Sequence, residues 1–383
     1  MKILSIETSC DDTGITIMEV KGGNFFKILS DNLVVQSIHA QYGGVYPMMA
    51  KKKHLENLPI LLEKTLKETK LEKSKKPVDL IAVTYGPGLE PCLWTGITFA
   101  QELAKKWKVP IIPTNHMEGH IISVFAKNKG SFKIPKIKYP LLSLLVSGGH
   151  TELVVSKSYL KYEIIGKTRD DAAGEAFDKV GRMLGLPYPG GPKISKLAEM
   201  QRQKEKQASK GLHSAKSARI EQFSSKKIVY PEKLGFSWSL PRPMLYSKDF
   251  DFSFAGLKTA VLYLIRDLTK KDSNILQNDK IKQVIALEFE NSVVETLVHK
   301  TKKAMEQYGA KTIIISGGVA ANEHLKREMK KMVGKRAKFL VPTRELSRDN
   351  ALMIGIAGYL NYLKNKKKVP KPEGIKAVGN LKL

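Results

Sequence analysis

The order of elements along the chain constrains it most. Lys2–Thr8 and Ile15–Val20 are apolar, β-branched stretches on either side of a turn that holds Gly14, and Lys21-Gly22-Gly23-Asn24 turns the chain again before a third strand from Phe25. His54–Lys70 then carries leucines at helical spacing: Leu55, Leu58, Leu61, Leu62 and Leu66. Val78–Thr84 reads as a buried strand, a helix follows from about Pro91 to Trp107, Val109–Pro113 is a strand, and a helix runs from about Asn115 to Ala126. The same order starts again after the Pro135–Pro140 linker. Strands fall at Tyr139–Val146, Thr151–Ser156 and Tyr162–Ile165, and helices at Asp171–Leu184, Ala255–Thr269 and Asp279–Tyr308. A strand at Lys311–Ile315, a helix at Ala321–Met332, a strand at Phe339–Val341 and a helix at Asp349–Leu363 complete it. Two such blocks predict a duplicated α/β fold with a cleft between its halves.

The length of 383 residues suits two such halves, and 42% hydrophobic with 27% charged residues is a globular composition. No apolar run approaches the roughly 18 residues of a membrane span. Only Cys10 and Cys92 are present, which suits a reducing compartment, and the chain opens directly on a strand pattern, so neither a signal nor a transit peptide is expected and the cytoplasm is the expected location. The 65 Lys and Arg against 37 Asp and Glu leave a formal charge of +28. Such a field draws polyanions, though a basic surface alone would give the same number. Much of the excess falls in a Lys/Gln/Ser-rich stretch at 201–236, read as a solvated, mobile insertion, and in a basic tail at 365–383.

Familiar nucleotide and hydrolase signatures are missing. Gly86-Pro87-Gly88 is followed by Pro91 where a dinucleotide fingerprint needs glycine, no Walker A motif exists, and Leu145 stands where a serine-hydrolase elbow needs glycine. What remains is more specific. In Asn115-His116-Met117-Glu118-Gly119-His120 the two histidines are i and i+4, one face of a helix, and can share a metal. A zincin would have Glu where Met117 stands, and Glu118 faces away from such a metal, so a peptidase is disfavoured. Asp349 opens the last helix, either as its N-cap or as a third ligand. Two glycine turns, Ser147-Gly148-Gly149 and Ser316-Gly317-Gly318, follow apolar strands at what read as matching places in the halves, and let backbone N–H groups approach a nucleotide. The first hairpin brings Glu7, Thr8, Ser9, Asp11, Asp12 and Thr13 together, and the Asp170–Lys179 helix carries Asp178, which could receive ribose or other hydroxyls. Ordinary turn and helix-end chemistry accounts for the same acids.

Taken in order, Ile6-Glu7-Thr8-Ser9-Cys10-Asp11-Asp12-Thr13, Gly86-Pro87-Gly88-Leu89, Asn115–His120, Leu145–Thr151, Asp170–Lys179, Tyr188-Pro189-Gly190-Gly191-Pro192, Asp251–Lys258, Ser316–Asn322 and Asp349-Asn350 resemble the TsaD family of tRNA threonylcarbamoyladenosine transferases, in its bacterial branch. The resemblance runs from Ile3 to about Leu363. It implies two related lobes of the actin, sugar-kinase and heat-shock ATPase fold (ASKHA, RNase H-like), at 1–134 and 135–348, with helix 349–364 packing back near the cleft. It implies transfer of a threonylcarbamoyl group from threonylcarbamoyl-AMP to N6 of the adenosine 3′ of the anticodon, in tRNAs reading codons that begin with A. His116, His120 and Asp349 would hold one divalent metal per subunit, Fe2+ with Zn2+ as the alternative. Leu145, Val146, Ser147, Gly148, Gly149, Asp178, Gly191 and Asn322 would contact the adenine nucleotide of the donor. Asp11, Asp12 and His150 are candidates for taking the N6 proton, and TsaB and TsaE are the implied protein partners. Three departures stand out: Met48-Met49-Ala50-Lys51 where the family has an acid and a small residue, Arg348 where a Thr or Gly precedes the ligand Asp, and the stretch at 201–236.

Overall fold

The computed structural model describes residues 1–127, 129–212, 228–229, 237–365 and 369–383. The chain opens with β1 (Lys2–Glu7), β2 (Asp12–Lys21) and β3 (Phe25–Val35), then α1 (Pro47–Glu68), β4 (Leu80–Gly86), α2 (Glu90–Trp107), β5 (Ile111–Asn115), α3 (His116–Ser123) and β6 (Ser131–Lys133). The second block holds β7 (Leu141–Val146), β8 (Thr151–Ser158), β9 (Lys161–Lys167), α4 (Ala173–Met183), α5 (Gly190–Leu212) and a short pair, β10 (Ile228–Val229) with β11 (Ser237–Trp238). It continues through α6 (Ala255–Lys271), α7 (Asp279–Tyr308), β12 (Thr312–Ser316), α8 (Glu323–Val333), β13 (Lys338–Leu340) and α9 (Ala351–Lys364).

Two mixed sheets share one plan. The first has the order β5-β4-β1-β2-β3-β6 and the second β13-β12-β7-β8-β9. In each, a three-stranded antiparallel meander is extended by two parallel strands beside its first strand. The physical reason is burial. β1 and β7 are buried on both faces, so they need helices above and below and sit at the centre of their sheets. Two lobes of this plan with a cleft between them make the ASKHA fold.

α9 belongs to the second block in sequence but packs on the first sheet. Leu352, Ile356, Tyr359 and Leu360 join Ile3, Met18, Val20 and Phe26 in one core. Close approach demands a small residue: a Cβ at Gly358 would lie 2.6 Å from that of Ala82. Where the lobes meet, Met117 and Ile121 of α3 pack with Leu141, Leu145, Val154 and Ile314 of the second sheet.

Three sequence expectations change. The two glycine turns are not at matching places in the halves. β7 and β12 are adjacent parallel strands of one sheet, so the turns lie side by side. The start of the 201–236 stretch is not a solvated loop, because α5 runs on to Leu212, with Arg202 meeting buried Glu290 at 2.8 Å and Lys204 meeting Gln283 at 2.8 Å. Most of the 201–236 reading lies outside the described residues. Finally, 369–383 is held along the first lobe. Ile375 is buried in its core, and the Gly88 N–H donates to the Gly379 carbonyl at 3.0 Å.

Candidate active site in the interlobe cleft

The two histidines are presented by a capped helix start. The Asn115 side chain accepts from the Met117 and Glu118 N–H groups at 2.8 and 3.2 Å, which fixes the first turn of α3. His116 and His120 then stand on one face, with ring centroids 4.7 Å apart and the planes nearly perpendicular. Asp349 comes from the other end of the chain. The N-cap of α9 is Asn350, whose side chain accepts from the Met353 N–H at 2.9 Å, so the neighbouring Asp349 carboxylate is released from capping. Its Oδ1 lies 3.3 Å from His116 Nε2 and 3.2 Å from His120 Nε2.

These three groups fit a metal. Their ligand atoms lie within 4.8 Å of one another. Among the described residues, both His120 nitrogens are buried without a well-formed hydrogen bond, with Asp349 Oδ1 3.2 Å from Nε2. A buried imidazole left in that way costs free energy unless a cation takes its lone pair. Burial opposes charge on Asp349, but the neighbouring His116 and His120 hold its carboxyl well below the usual carboxylate range. His116 has the backing of a ligand. Its Nδ1 faces Glu7 Oε2 at 3.1 Å and Ser9 Oγ at 3.2 Å, leaving Nε2 for the site. Sequence reasoning placed Glu7 only in a general acid cluster. No local pattern marks it: Glu7 ends β1 and meets His116 only once β1 and α3 have packed together. Glu118 faces away, as expected, and is occupied by the Tyr162 hydroxyl at 3.1 Å and the Asn361 amide at 2.6 Å.

The three candidate proton acceptors share the electrostatic field of this triad. Burial, reinforced by Asp349 and Asp11, pushes the Asp12 carboxyl up to about 8. Burial and Asp349 raise Asp11 as well. Burial, with His116 and His120 adding to it, lowers His150 to about 4, so its ring is neutral at neutral pH. Asp11 also acts across the cleft on Asp178 and Tyr188 of the second lobe, both raised chiefly by burial.

The nucleotide-binding candidates gather in the second lobe. Leu145 and Val146 end β7 inside the core, and the turn closes through Ser147 N–H to the His150 carbonyl at 2.8 Å. A Cβ on Gly148 or Gly149 would meet nothing within 4 Å, so open space lies against both backbones. Gly317, at φ 89°, brings the second turn against the Val146 carbonyl, where a side chain would collide. Asp178 Oδ1 accepts from the Gly190 and Gly191 N–H groups at 2.7 and 3.3 Å, joining two of the expected residues. Asn322 is the N-cap of α8. Its oxygen accepts from Leu325 at 2.8 Å, and its nitrogen donates to Ser195 at 2.9 Å and Glu290 at 2.7 Å. Both amide hydrogens are therefore spent, and Asn322 meets a ligand only through an oxygen lone pair or its backbone. Asp170 and Asp171 are structural: Asp170 accepts from the Phe254 and Ala255 N–H groups, and Asp171 pairs with Lys179 and Lys258.

A paired-lobe protein with a His-His-Asp triad that fits a cation is one class. HypF from T. kodakarensis shares the architecture, with a TM-score of 0.53 at 15% identity over 95% of this chain and 48% of that one. The particular family is narrower. The model of the family TsaD, tRNA N6-adenosine threonylcarbamoyltransferase, matches residues 27–224 and 207–356. The chain is 40% identical to the tRNA N6-adenosine threonylcarbamoyltransferase of Thermosipho africanus across 100% of both chains, and 40% identical to that of Thermodesulfovibrio yellowstonii across 95% of each. The chain belongs to the TsaD family of tRNA N6-adenosine threonylcarbamoyltransferases, transferases that form threonylcarbamoyladenosine in tRNA.

Proposed function

We propose that the cleft moves the threonylcarbamoyl group from threonylcarbamoyl-AMP to N6 of the adenosine 3′ of the anticodon, in tRNAs reading codons that begin with A. The observation that carries this is the convergence of His116, His120 and Asp349 in a chain of this family. In this reading they hold one divalent ion, Fe2+ with Zn2+ as the alternative, and the lobes are 1–134 and 135–348. When bound, the ion supplies a positive charge that can polarise the donor's acyl or phosphate oxygens.

The chain's own residues do the rest. The N6 lone pair is delocalised into the adenine ring, so the reaction needs an activated acyl carbon and a held geometry. N6 bonds to that carbon, the carbon–oxygen bond to AMP breaks, and N6 gives up a proton. Gly148 and Gly149 offer open backbone to the departing nucleotide, with Leu145, Val146 and Ser147 fixing the strand end beneath them. Asp178 holds the Gly190-Gly191 loop on the other side. Neutral His150, Asp11 and Asp12 are the candidate proton acceptors; burial and the neighbouring acids push the Asp12 carboxyl up to about 8, against the pull of Arg348, and it accepts a proton only as the carboxylate.

The +28 charge supports capture of the tRNA backbone. Among the described residues no helix is long and apolar enough to cross a membrane, in keeping with a cytoplasmic enzyme. Protein partners of the TsaB and TsaE kind are supported by an exposed apolar face on α1 and α2, where Met48, Leu55 and Trp94 are 57%, 57% and 41% exposed. Depletion of the protein, digestion of cellular tRNA and mass spectrometry of its nucleosides test the proposal: threonylcarbamoyladenosine should fall, and an unchanged level would overturn it.

A further inference from the structure

The turn that carries Asp11 and Asp12 is gripped by a chain of buried polar side chains that the transfer chemistry does not itself use. Thr13, Gln36, His39 and His54 are 0%, 4%, 1% and 0% exposed. His54 Nε2 lies 2.9 Å from the Cys10 carbonyl oxygen. A carbonyl only accepts, so Nε2 carries the proton. Burial holds the ring below the ordinary histidine range and keeps it neutral, which makes Nδ1 an acceptor. Nδ1 takes the Thr13 hydroxyl at 2.8 Å and the Gln36 amide nitrogen at 3.4 Å.

The orientation of Gln36 is fixed independently. Its nitrogen also donates to the Ala50 carbonyl at 3.3 Å, so its oxygen faces His39 Nε2 at 3.0 Å. His39 Nδ1 in turn accepts from the Tyr46 N–H at 3.3 Å, which puts the His39 proton on Nε2. One assignment of protons satisfies every link, and reversing any link sets two donors or two acceptors face to face. The chain therefore runs in one direction, Tyr46 to His39 to Gln36 to His54 to Cys10. The Gln36 N–H adds a bond to the Asp11 carbonyl at 3.2 Å, so the backbone on both sides of the Cys10–Asp11 bond is held. At the outer end, the Gly44 N–H donates to the His39 carbonyl at 3.4 Å, and the adjoining Gly43 carbonyl accepts from the Arg182 guanidinium of α4, in the other lobe.

We propose that Gln36 and His54 are positioning residues for the transfer: their hydrogen bonds fix the Cys10–Asp12 turn so that Asp11 and Asp12 address the cleft, and they tie that turn to the interlobe contact at Gly43. The inference rests on the reading of Asp11 and Asp12 as groups that serve the reaction.

Steady-state kinetics of purified variants test it, with partners, threonylcarbamoyl-AMP and unmodified tRNA supplied and thermal melts run alongside. His54→Asn keeps polarity on the Nδ1 side but cannot reach the Cys10 carbonyl. His54→Gln restores a nitrogen donor near the Nε2 position. His54→Asn should lower kcat roughly tenfold to a hundredfold with KM for tRNA unchanged, as expected of a misplaced rather than an unbound group. His54→Gln should recover most of the loss, and a core staple would not distinguish the two. Gln36→Leu, close in volume, should behave like His54→Asn and carries the same test if a histidine variant does not fold. Wild-type kcat in both His54→Asn and Gln36→Leu would overturn the proposal, as would losses that track melting temperature with no recovery in His54→Gln. Asp11→Asn and Asp12→Asn separate the layers. If they lower kcat while His54→Asn does not, the positioning role alone fails. If they leave kcat unchanged, the role of the acids fails and the positioning role with it.

Discussion

The Glu7 carboxylate stands 3.1 Å from Nδ1 of His116, and the opposite nitrogen of that ring points to Asp349 at 3.3 Å. Glu7 is fully buried and also takes the Thr84 hydroxyl at 2.6 Å and the Ser9 N–H at 2.5 Å. A carboxylate behind a ligating imidazole fixes its tautomer and raises its basicity.

Glu7→Gln keeps the shape and removes the charge, so affinity for a divalent ion should fall about 10- to 100-fold. Titration against a chelator of known affinity measures it. The same ion should raise the melting temperature of the wild type, because it binds only the folded state, and should not raise that of His120→Ala. Equal affinity in Glu7→Gln would reduce Glu7 to a packing acid.

Acid should destabilise the fold through His324. It is 8% exposed, neither ring nitrogen has a hydrogen-bond partner among the described residues, and burial with Arg202 and Arg327 pushes it down to about 3. An unfolded histidine titrates near 6.5. Between those values the unfolded chain binds a proton that the folded one refuses, so stability is lost as pH falls from about 6.5 toward 3. From pH 7 to pH 5 the loss from this one group is roughly 2 kcal/mol. Urea unfolding of His324→Leu should show a shallower fall over that window, with a remainder from His150. Identical slopes would mean that the ring protonates freely in the folded state.

The terminal strap should stabilise the first lobe. Ile375 is 3% exposed, the Val378 N–H donates to the Tyr85 carbonyl at 2.8 Å, and Asn115 Nδ2 donates to the Lys382 carbonyl at 3.2 Å. Truncation after Gly374 should cost about 2–4 kcal/mol in urea unfolding, most of it from the isoleucine. No change would show that the strap merely rests on the surface.

Deletion of 213–227, part of the basic stretch and outside the described residues, should weaken tRNA binding and flatten its dependence on salt, since each lost phosphate contact lowers the slope by about 0.9 for a duplex. An unaltered slope, measured by filter binding from low to high salt, would mean that these lysines do not touch the tRNA.

The sequence made some of this plain and hid the rest for definite reasons. The repeated strand and helix order showed because β1 and β7 are buried on both faces and read as unbroken apolar runs. The histidine pair showed because helical spacing alone puts His116 and His120 on one face. Whether Asp349 caps α9 or faces the histidines turned on a single position, and Asn350 decides it. The pairing of Glu7 with His116 and the chain from Tyr46 to Cys10 are tertiary, and no local pattern encodes them. The side-by-side glycine turns depend on β12 pairing with β7 across a long intervening segment, which element order does not specify. Asn322 reads the same whether it binds a ligand or caps a helix, because one carboxamide suits both.

The account's central claim is that His116, His120 and Asp349 hold the ion that the transfer needs. Its most direct test is single-turnover formation of threonylcarbamoyladenosine from threonylcarbamoyl-AMP and unmodified tRNA, with partners supplied, comparing metal-loaded wild type with Asp349→Asn, and metal content measured in the same samples. The wild type should form product and Asp349→Asn should lose both ion and product, with its fold intact by circular dichroism. Full product from an Asp349→Asn protein that carries no ion would contradict the claim.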